Sequence, residues 1–421
     1  ESKPVVKSEA FRRVPMTRCV FPVLLMAAIR ADVAVRPVAS SELVDPSGAD
    51  ITRSQKRWVR KWRVEQAQAT LDYIRNNFDL VRSMLAGSRL IYGSTDSVSV
   101  WEPGTDSAKV SDRHVPFISH QEGTVLDVAR EIHERTDQKA VVVNAASAYH
   151  VGGGFTNGGR HALEESMCMQ STLYVSLYYV FRTGEKKKIE FEGKHYEQYI
   201  PENAAVLSPN VHIFREGTYH MPPYEFLDQP TAIAAVVSVA MPNLNSEVSD
   251  SPLANIERSA PVYTELLQQK WRATLRAAKA ADATYVVVPA AGCGVFKNEP
   301  VQVGKALGAV FRSEFYHDFE GIVVVGKGES EAKLYSALEE VVGAVWQFSA
   351  HGGKVWKDFE FIDSGIAETA YQTYKLYGAS PQVTLMHKSL RGILATIDFP
   401  SMKQGGRNVR RVSRITRVRK A

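Results

Sequence analysis

The chain has 421 residues, 44% of them hydrophobic and 23% charged, the balance of a soluble globular protein with a large core. No unbroken apolar run reaches the length of a membrane-spanning helix, so a transmembrane segment is not expected. The net charge of +5 is concentrated at one end: Lys403, Arg407, Arg410, Arg411, Arg414, Arg417, Arg419 and Lys420 stand there with no acidic residue, and the rest of the chain is net negative.

Residues 1–50 show little periodicity. They contain "MTRCVFPVLLMAAI" (16–29), a basic residue before an apolar stretch as in a targeting peptide, and "RPVASSELVDPSGAD", which reads as linker. A helical extension is expected over 51–95. It carries "RSQKRWVRKWR", whose Trp58 and Trp62 lie one turn apart and are expected to pack inward while the basic residues face solvent.

From about residue 96 strands and helices alternate. Expected strands are "SVSVW" (97–101), "AVVVNAA" (140–146), "AIAAVVSVAM" (232–241), "TYVVVPAA" (284–291) and "GIVVVG" (321–326), each apolar on both faces as in a covered sheet. Helices are expected over 124–136, 163–181, 261–281, 300–315 and 329–348. The alternation argues a three-layer α/β fold with a mixed sheet spanning 96–350. Over 351–421 the pattern weakens into an extension with a possible docked helix at 359–376 and the basic tail, a surface for a polyanion or a solvated end.

Two strand ends are rich in glycine. "AVVVNAA" runs into Gly152, Gly153 and Gly154, and "TYVVVPAA" into "GCGVF", Gly292 to Phe296. Ligands of α/β sheets bind at the carboxyl ends of strands, and glycine loops there present backbone N–H groups to anions. Each loop alone is equally a simple turn; as a pair they suggest a ligand with a diphosphate held between them. Glu164 and Glu165 open the helix after the first loop. They are either an ordinary acidic helix start or an acid/base pair.

The run "NAASAYHVGGGFTNGGRHALEESMCMQSTLY" (144–174) resembles the microbial type of poly(ADP-ribose) glycohydrolase, a macrodomain-fold family. The likeness continues through "YIPENAAVLSPNVHIFRE", "VVSVAMPNLN" and "AAGCGVFKNEPVQVGKALGAVFRSEF", covering roughly residues 95–330. It implies a macrodomain-like three-layer α/β/α fold that hydrolyses ribose–ribose bonds and so reverses ADP-ribosylation, with Glu165 as general acid and then base and Glu164 holding ribose hydroxyls. It also implies substrate contacts at Asn144, Ser147, Gly152, Gly153, Gly154, Phe155, Gly292, Cys293, Gly294, Val295 and Phe296. A helix N-terminus lowers a carboxyl pKa, so burial is expected to raise that of the acid. The family signature of three glycines, six to eight residues and Gln-Glu-Glu is met with eight residues, but Leu163 stands where the glutamine belongs. That departure leaves open a protein that binds ADP-ribose without cleaving it, or one that removes single ADP-ribose units from protein.

No metal and no cofactor is implied: the eleven histidines show no ligand spacing, and His150 and His161 read as loop residues. Cys19, Cys168 and Cys293 are widely spaced, which fits a reducing compartment, cytoplasm or nucleus. The expected partner is poly(ADP-ribose) or an ADP-ribosylated protein, met by a monomer away from membranes.

Overall fold

The computed structural model describes residues 53–93, 116–159, 162–217, 224–248, 252, 255–342, 344–350, 354–359, 367, 370–371, 374–375, 380–387, 393–404 and 407–413. The targeting-like stretch, the expected strand at 97–101, His161 and the last four basic residues lie outside the described residues.

The strand Ala140–Ala145 (β3) shows how the sequence builds the centre. Its apolar run lets Val142 pack into one core while Val141 and Val143 pack into another on the opposite face. A strand buried on both sides needs helices above and below. One face receives α1 (Arg53–Asn76), α2 (Asp79–Gly87), α3 (Val125–Thr136), α4 (Leu163–Gln170) and α5 (Leu173–Thr183). The other receives α6 (Pro261–Ala280), α7 (Pro300–Val310) and α8 (Glu329–Val342).

Among the described residues the main sheet has seven strands. In chain order they are β1 (Arg89–Tyr92), β2 (Phe117–Gln121), β3, then, after a hairpin of β4 (Lys187–Phe191) and β5 (Lys194–Gln198), β6 (Ala204–Arg215), β7 (Phe226–Val239), β8 (Tyr285–Val288) and β9 (Gly321–Val325). They lie in the order β1-β6-β7-β3-β8-β9-β2. β7, β3, β8, β9 and β2 run parallel, while β6 runs against both its neighbours, β7 and β1, so the sheet is mixed. The carboxyl ends of β7, β3 and β8 therefore stand side by side.

The helix expected over 163–181 is two helices. Ser171 leaves helical geometry at φ −145 and ψ 177 and forms a bridge with Ile213 of β6. Thr172 holds the break on both sides: its N–H donates to His212 O at 3.1 Å, and its hydroxyl accepts from His212 N–H at 3.1 Å. Strand pairing here overrides a local sequence that would continue the helix.

The helix expected over 329–348 stops at Val342, and Ala344–Ala350 is a strand, β10. Arg312, 2% exposed on the π-helical turn Phe311–Phe315 that follows α7, donates to Val341 O at 3.0 Å and Val342 O at 2.8 Å. Those terminal carbonyls are thereby satisfied without a further turn. β10 joins β11 (Val355–Asp358), β12 (Gln382–His387), β13 (Ile393–Asp398), β14 (Lys403–Gln404) and β15 (Arg407–Ser413) in an antiparallel sheet over Trp346, Leu385, Ile397, Phe399 and Val409.

Arg312→Met removes that cap and leaves two buried carbonyls unpaired, which costs roughly 1–3 kcal/mol each. A lower urea midpoint for the variant, with unchanged far-UV circular dichroism, is the expected outcome.

Candidate active site

The loop after β3 is built around the two carboxyl groups of α4. Ser147 N–H donates to Glu164 Oε2 at 2.9 Å, Gly154 N–H to Glu165 Oε1 at 2.7 Å, and Ala162 N–H to Glu165 Oε2 at 3.1 Å. The last bond is the reach-back of a helix N3 glutamate to its cap residue, without a reciprocal side-chain bond because the cap is alanine. Gly153 has φ +57, and a Cβ there would lie 2.5 Å from Glu165 Oε1. Only glycine lets the backbone pass that close in that conformation.

Both acids are buried, Glu164 at 4% exposure and Glu165 at 9%. Burial and the charge of Glu165 push Glu164 well above the ordinary carboxyl range, against the pull of Ser147 N–H, the Asn144 amide and Gly152 N–H. Burial also raises Glu165, opposed by the N–H groups of Gly154, Glu165 and Ala162 and by the positive charge of Arg63. The helix N-terminus lowers the acid as the sequence suggested, and burial outweighs it. The two carboxyls interact, so their protons come off as those of a pair.

Around Glu164 several buried polar atoms have no hydrogen-bond partner within the described protein: Glu164 Oε1, Asn144 Oδ1 and the Tyr199 hydroxyl. Tyr199 is close enough for the Glu164 charge to raise its pKa, after burial, well above the usual range. The Asn144 amide nitrogen donates to Ser238 Oγ at 3.0 Å and also faces Glu164. Orphaned buried donors and acceptors cost free energy unless something polar meets them, so this corner is suited to a hydroxyl-bearing ligand.

The loop after β8 is shaped by Asn298. Its amide donates to Gly292 O at 2.9 Å and Pro242 O at 2.8 Å, and it accepts from the Tyr263 hydroxyl at 2.8 Å. Gly292 has φ +73 and abuts Met241. The segment after β7 zips onto the same loop: Leu244 N–H donates to Phe296 O at 3.0 Å, and the Asn245 amide to Val295 O at 2.7 Å. Gly294 is exposed, with nothing within 4 Å of where a Cβ would stand, so the loop offers an open backbone at that point.

Of the residues singled out in sequence, Asn144, Ser147, Gly152, Gly153, Gly154, Glu164 and Glu165 come together at the end of β3. Gly292, Cys293, Gly294, Val295 and Phe296 form the loop at the neighbouring strand end. Phe155 takes a different place. At 1% exposure it packs on Tyr174 with ring centroids 4.8 Å apart, so its side chain supports the loop from the core. Leu163 is partly buried against the same core, with no group to offer a ligand. His150 is exposed on the loop.

The basic stretch of α1 contributes a group that sequence reasoning left to solvent. Arg63 donates to Gly159 O at 2.7 Å and Arg60 to Asn157 O at 2.9 Å, so α1 braces the glycine loop. Trp62 does turn inward, stacking on Tyr224 at 6.3 Å. The signal for Asn245 was an amide just past an apolar strand, a position where a buried polar group needs a partner; Asn298, beyond the second glycine loop, carried none. Among the described residues no cluster of three or more His, Cys, Asp and Glu side chains could hold a metal, and no helix is long and apolar enough to cross a membrane.

The first glycine loop and both acids fall within a recognisable domain. Residues 68–216 match the family model of the microbial-type PARG catalytic domain, PARG being poly(ADP-ribose) glycohydrolase. That match includes the first glycine loop and both glutamates and ends before the second loop. The mixed seven-stranded fold matches the poly(ADP-ribose) glycohydrolase of Thermomonospora curvata at a TM-score of 0.50 and 24% identity, over 66% of this chain and 99% of that one. The enzyme of Deinococcus radiodurans, solved in complex with ADP-ribose, is also similar, at 24% identity and a TM-score of 0.42 over 62% of this chain and 96% of that one. None of the curated proteins matches. The microbial-type PARG likeness read from residues 144–174 thus recurs in the family model and in the fold.

A carboxyl whose pKa is raised by folding adds stability only while it is protonated in the folded state. For Glu164 that contribution is intact below the unfolded value near 4.5 and is lost as pH rises through the folded pKa. Glu164→Gln removes the titration and can still accept from Ser147 N–H. Thermal melts are expected to coincide with wild type near pH 4 and to lie higher by about one to a few degrees at pH 7.

Proposed function

We propose that the protein hydrolyses the ribose–ribose glycosidic bonds of poly(ADP-ribose), releasing ADP-ribose. The observation that carries this reading is the pair of adjacent buried carboxyls clamped by a glycine loop, next to orphaned polar atoms fit for a sugar. Glu165 is assigned the proton. Burial raises its pKa, the direction a general acid needs, and each oxygen retains a lone pair beyond the N–H bond it accepts.

In this mechanism Glu165 protonates the glycosidic oxygen as the bond breaks through an oxocarbenium-like state. The carboxylate left behind then takes a proton from the attacking water. Glu164, whose pKa burial raises, can when protonated both donate to and accept from ribose hydroxyls, aided by Asn144 Oδ1 and the Tyr199 hydroxyl. The diphosphate is assigned to backbone N–H groups of the loop 292–296, because those of Gly152, Gly153 and Gly154 are already engaged by Glu164, His150 O and Glu165; the first loop is assigned the ribose side. The family match and the fold shared with a glycohydrolase support the reading.

A second reading rests on Leu163. At the first position of α4 it presents no hydrogen-bonding group where the family signature has an amide, which favours a protein that retains ADP-ribose without cutting the polymer.

Turnover separates the two. Purified chain incubated with poly(ADP-ribose) is expected to release ADP-ribose, and Glu165→Gln to lower the rate by about 10²–10⁴-fold while ADP-ribose binding stays within a few-fold. Binding without release by either form would leave the reader. Leu163→Gln is expected to raise kcat/KM about 5–150-fold, the range of one added hydrogen bond of 1–3 kcal/mol to substrate, measured on the same polymer.

A further inference from the structure

Next to the glycine loops, on the side of β7, lies a cleft of about 260 Å³ that the mechanism above leaves unused. Tyr149 from the first loop and Phe296 from the second line it, Phe191 of the β4–β5 hairpin adds a third ring, and Gln198, Glu202 and Lys270 supply its polar groups. Lys270 is 3% exposed on α6, and burial brings its ammonium down to about 8 against the opposing charge of Glu202. Gln198 is 2% exposed. It hydrogen-bonds Glu202 through its amide, and its Oε1 has no hydrogen-bond partner.

Those groups define the ligand. One ammonium and one carboxylate balance, so the cleft has no net attraction for a phosphate. The buried Gln198 Oε1 is an acceptor with its hydrogen bond unmade, which calls for a ligand N–H or O–H. Three aromatic rings suit a flat base. The volume is below that of sites for drug-sized ligands, which fits one small moiety rather than a dinucleotide.

The cleft is also tied to the acids by short stretches of backbone. Ser147, whose N–H holds Glu164, is two residues from Tyr149. Between them Ala148 O accepts from the N–H of Tyr199, the neighbour of Gln198. In poly(ADP-ribose) the ribose whose glycosidic bond breaks is joined to the ribose of the next adenosine. The group nearest the scissile bond on the departing side is therefore a neutral nucleoside.

We propose that this cleft binds the adenosine end of the departing unit, with Gln198 Oε1 accepting from the base or sugar and the rings of Phe191, Phe296 and Tyr149 flanking it. The proposal rests on the hydrolase reading for its orientation and on the cleft's own groups for its chemistry. It gives the enzyme a hold on both sides of the bond it cuts.

Adenosine is the probe. Titrated into the full chain saturated with ADP-ribose and followed by saturation-transfer NMR, it is expected to bind. Gln198→Leu and Phe191→Ala should each weaken it about fivefold or more, with ADP-ribose affinity held within about twofold as the check on folding. Failure of adenosine to bind beside ADP-ribose, or equal binding by wild type and both folded variants, overturns the proposal. If ADP-ribose itself does not bind, the glycine-loop reading fails separately, and adenosine binding that is lost in Gln198→Leu still upholds the nucleoside site.

Discussion

Two adjacent carboxyl groups taken out of water would cost several kcal/mol each if left alone, and the first glycine loop is folded so that they are not alone. Ser147, Gly154 and Ala162 turn their N–H groups onto Glu164 and Glu165. To do so the loop must pass within contact of the acids, which is why Gly153 has neither Cβ nor an ordinary φ. The loop in turn needs bracing, from Tyr174 and Phe155 beneath it and from Arg60 and Arg63 at its far end. Helix α1, remote in sequence, is recruited by this requirement.

The sheet supplies the other half of the arrangement. Because β7, β3 and β8 are parallel neighbours, three loops leave at one edge and can bond to one another without long side chains. Leu244 and Asn245 bind the Gly292–Phe296 loop, and Asn298 fastens that loop to Pro242. The outcome is a rim of backbone with its own internal hydrogen bonds. Such a rim presents N–H dipoles to an anion with little reorganisation, the kind of surface a diphosphate would use.

Much of this was legible in residues close together in sequence. Valine runs marked the buried strands, glycines after them marked the loops, and Glu164-Glu165 marked the acidic start of α4. What escaped depends on partners far along the chain. Nothing between Leu163 and Phe181 announces a break, since Ser171 and Thr172 leave the helix to meet Ile213 and His212. Arg63 reads as one more solvated charge until Gly159 is seen beside it, and Arg312 ends α8 from another element. The second sheet escaped because its strands mix polar and charged residues with apolar ones, as in Val355–Asp358 and Arg407–Ser413, and carry no valine run. Leu163 stood out in sequence only as a departure; its packing against the core explains how the position tolerates an apolar side chain.

The break at Ser171 leaves α4 with only eight residues, too few to hold a helix in water by itself. One end is gripped by the glycine loop through Glu165 and the other by β6 through Ser171 and Thr172. The element carrying both acids is thus a strut fixed at its two ends, with almost no stability of its own. Its alignment is inherited from the sheet, so the acids can fall out of register only when loop or strand gives way. Residues 166–170 are thereby left free for packing and for side-chain bonds of their own, such as Gln170 to Ser166 Oγ at 2.8 Å.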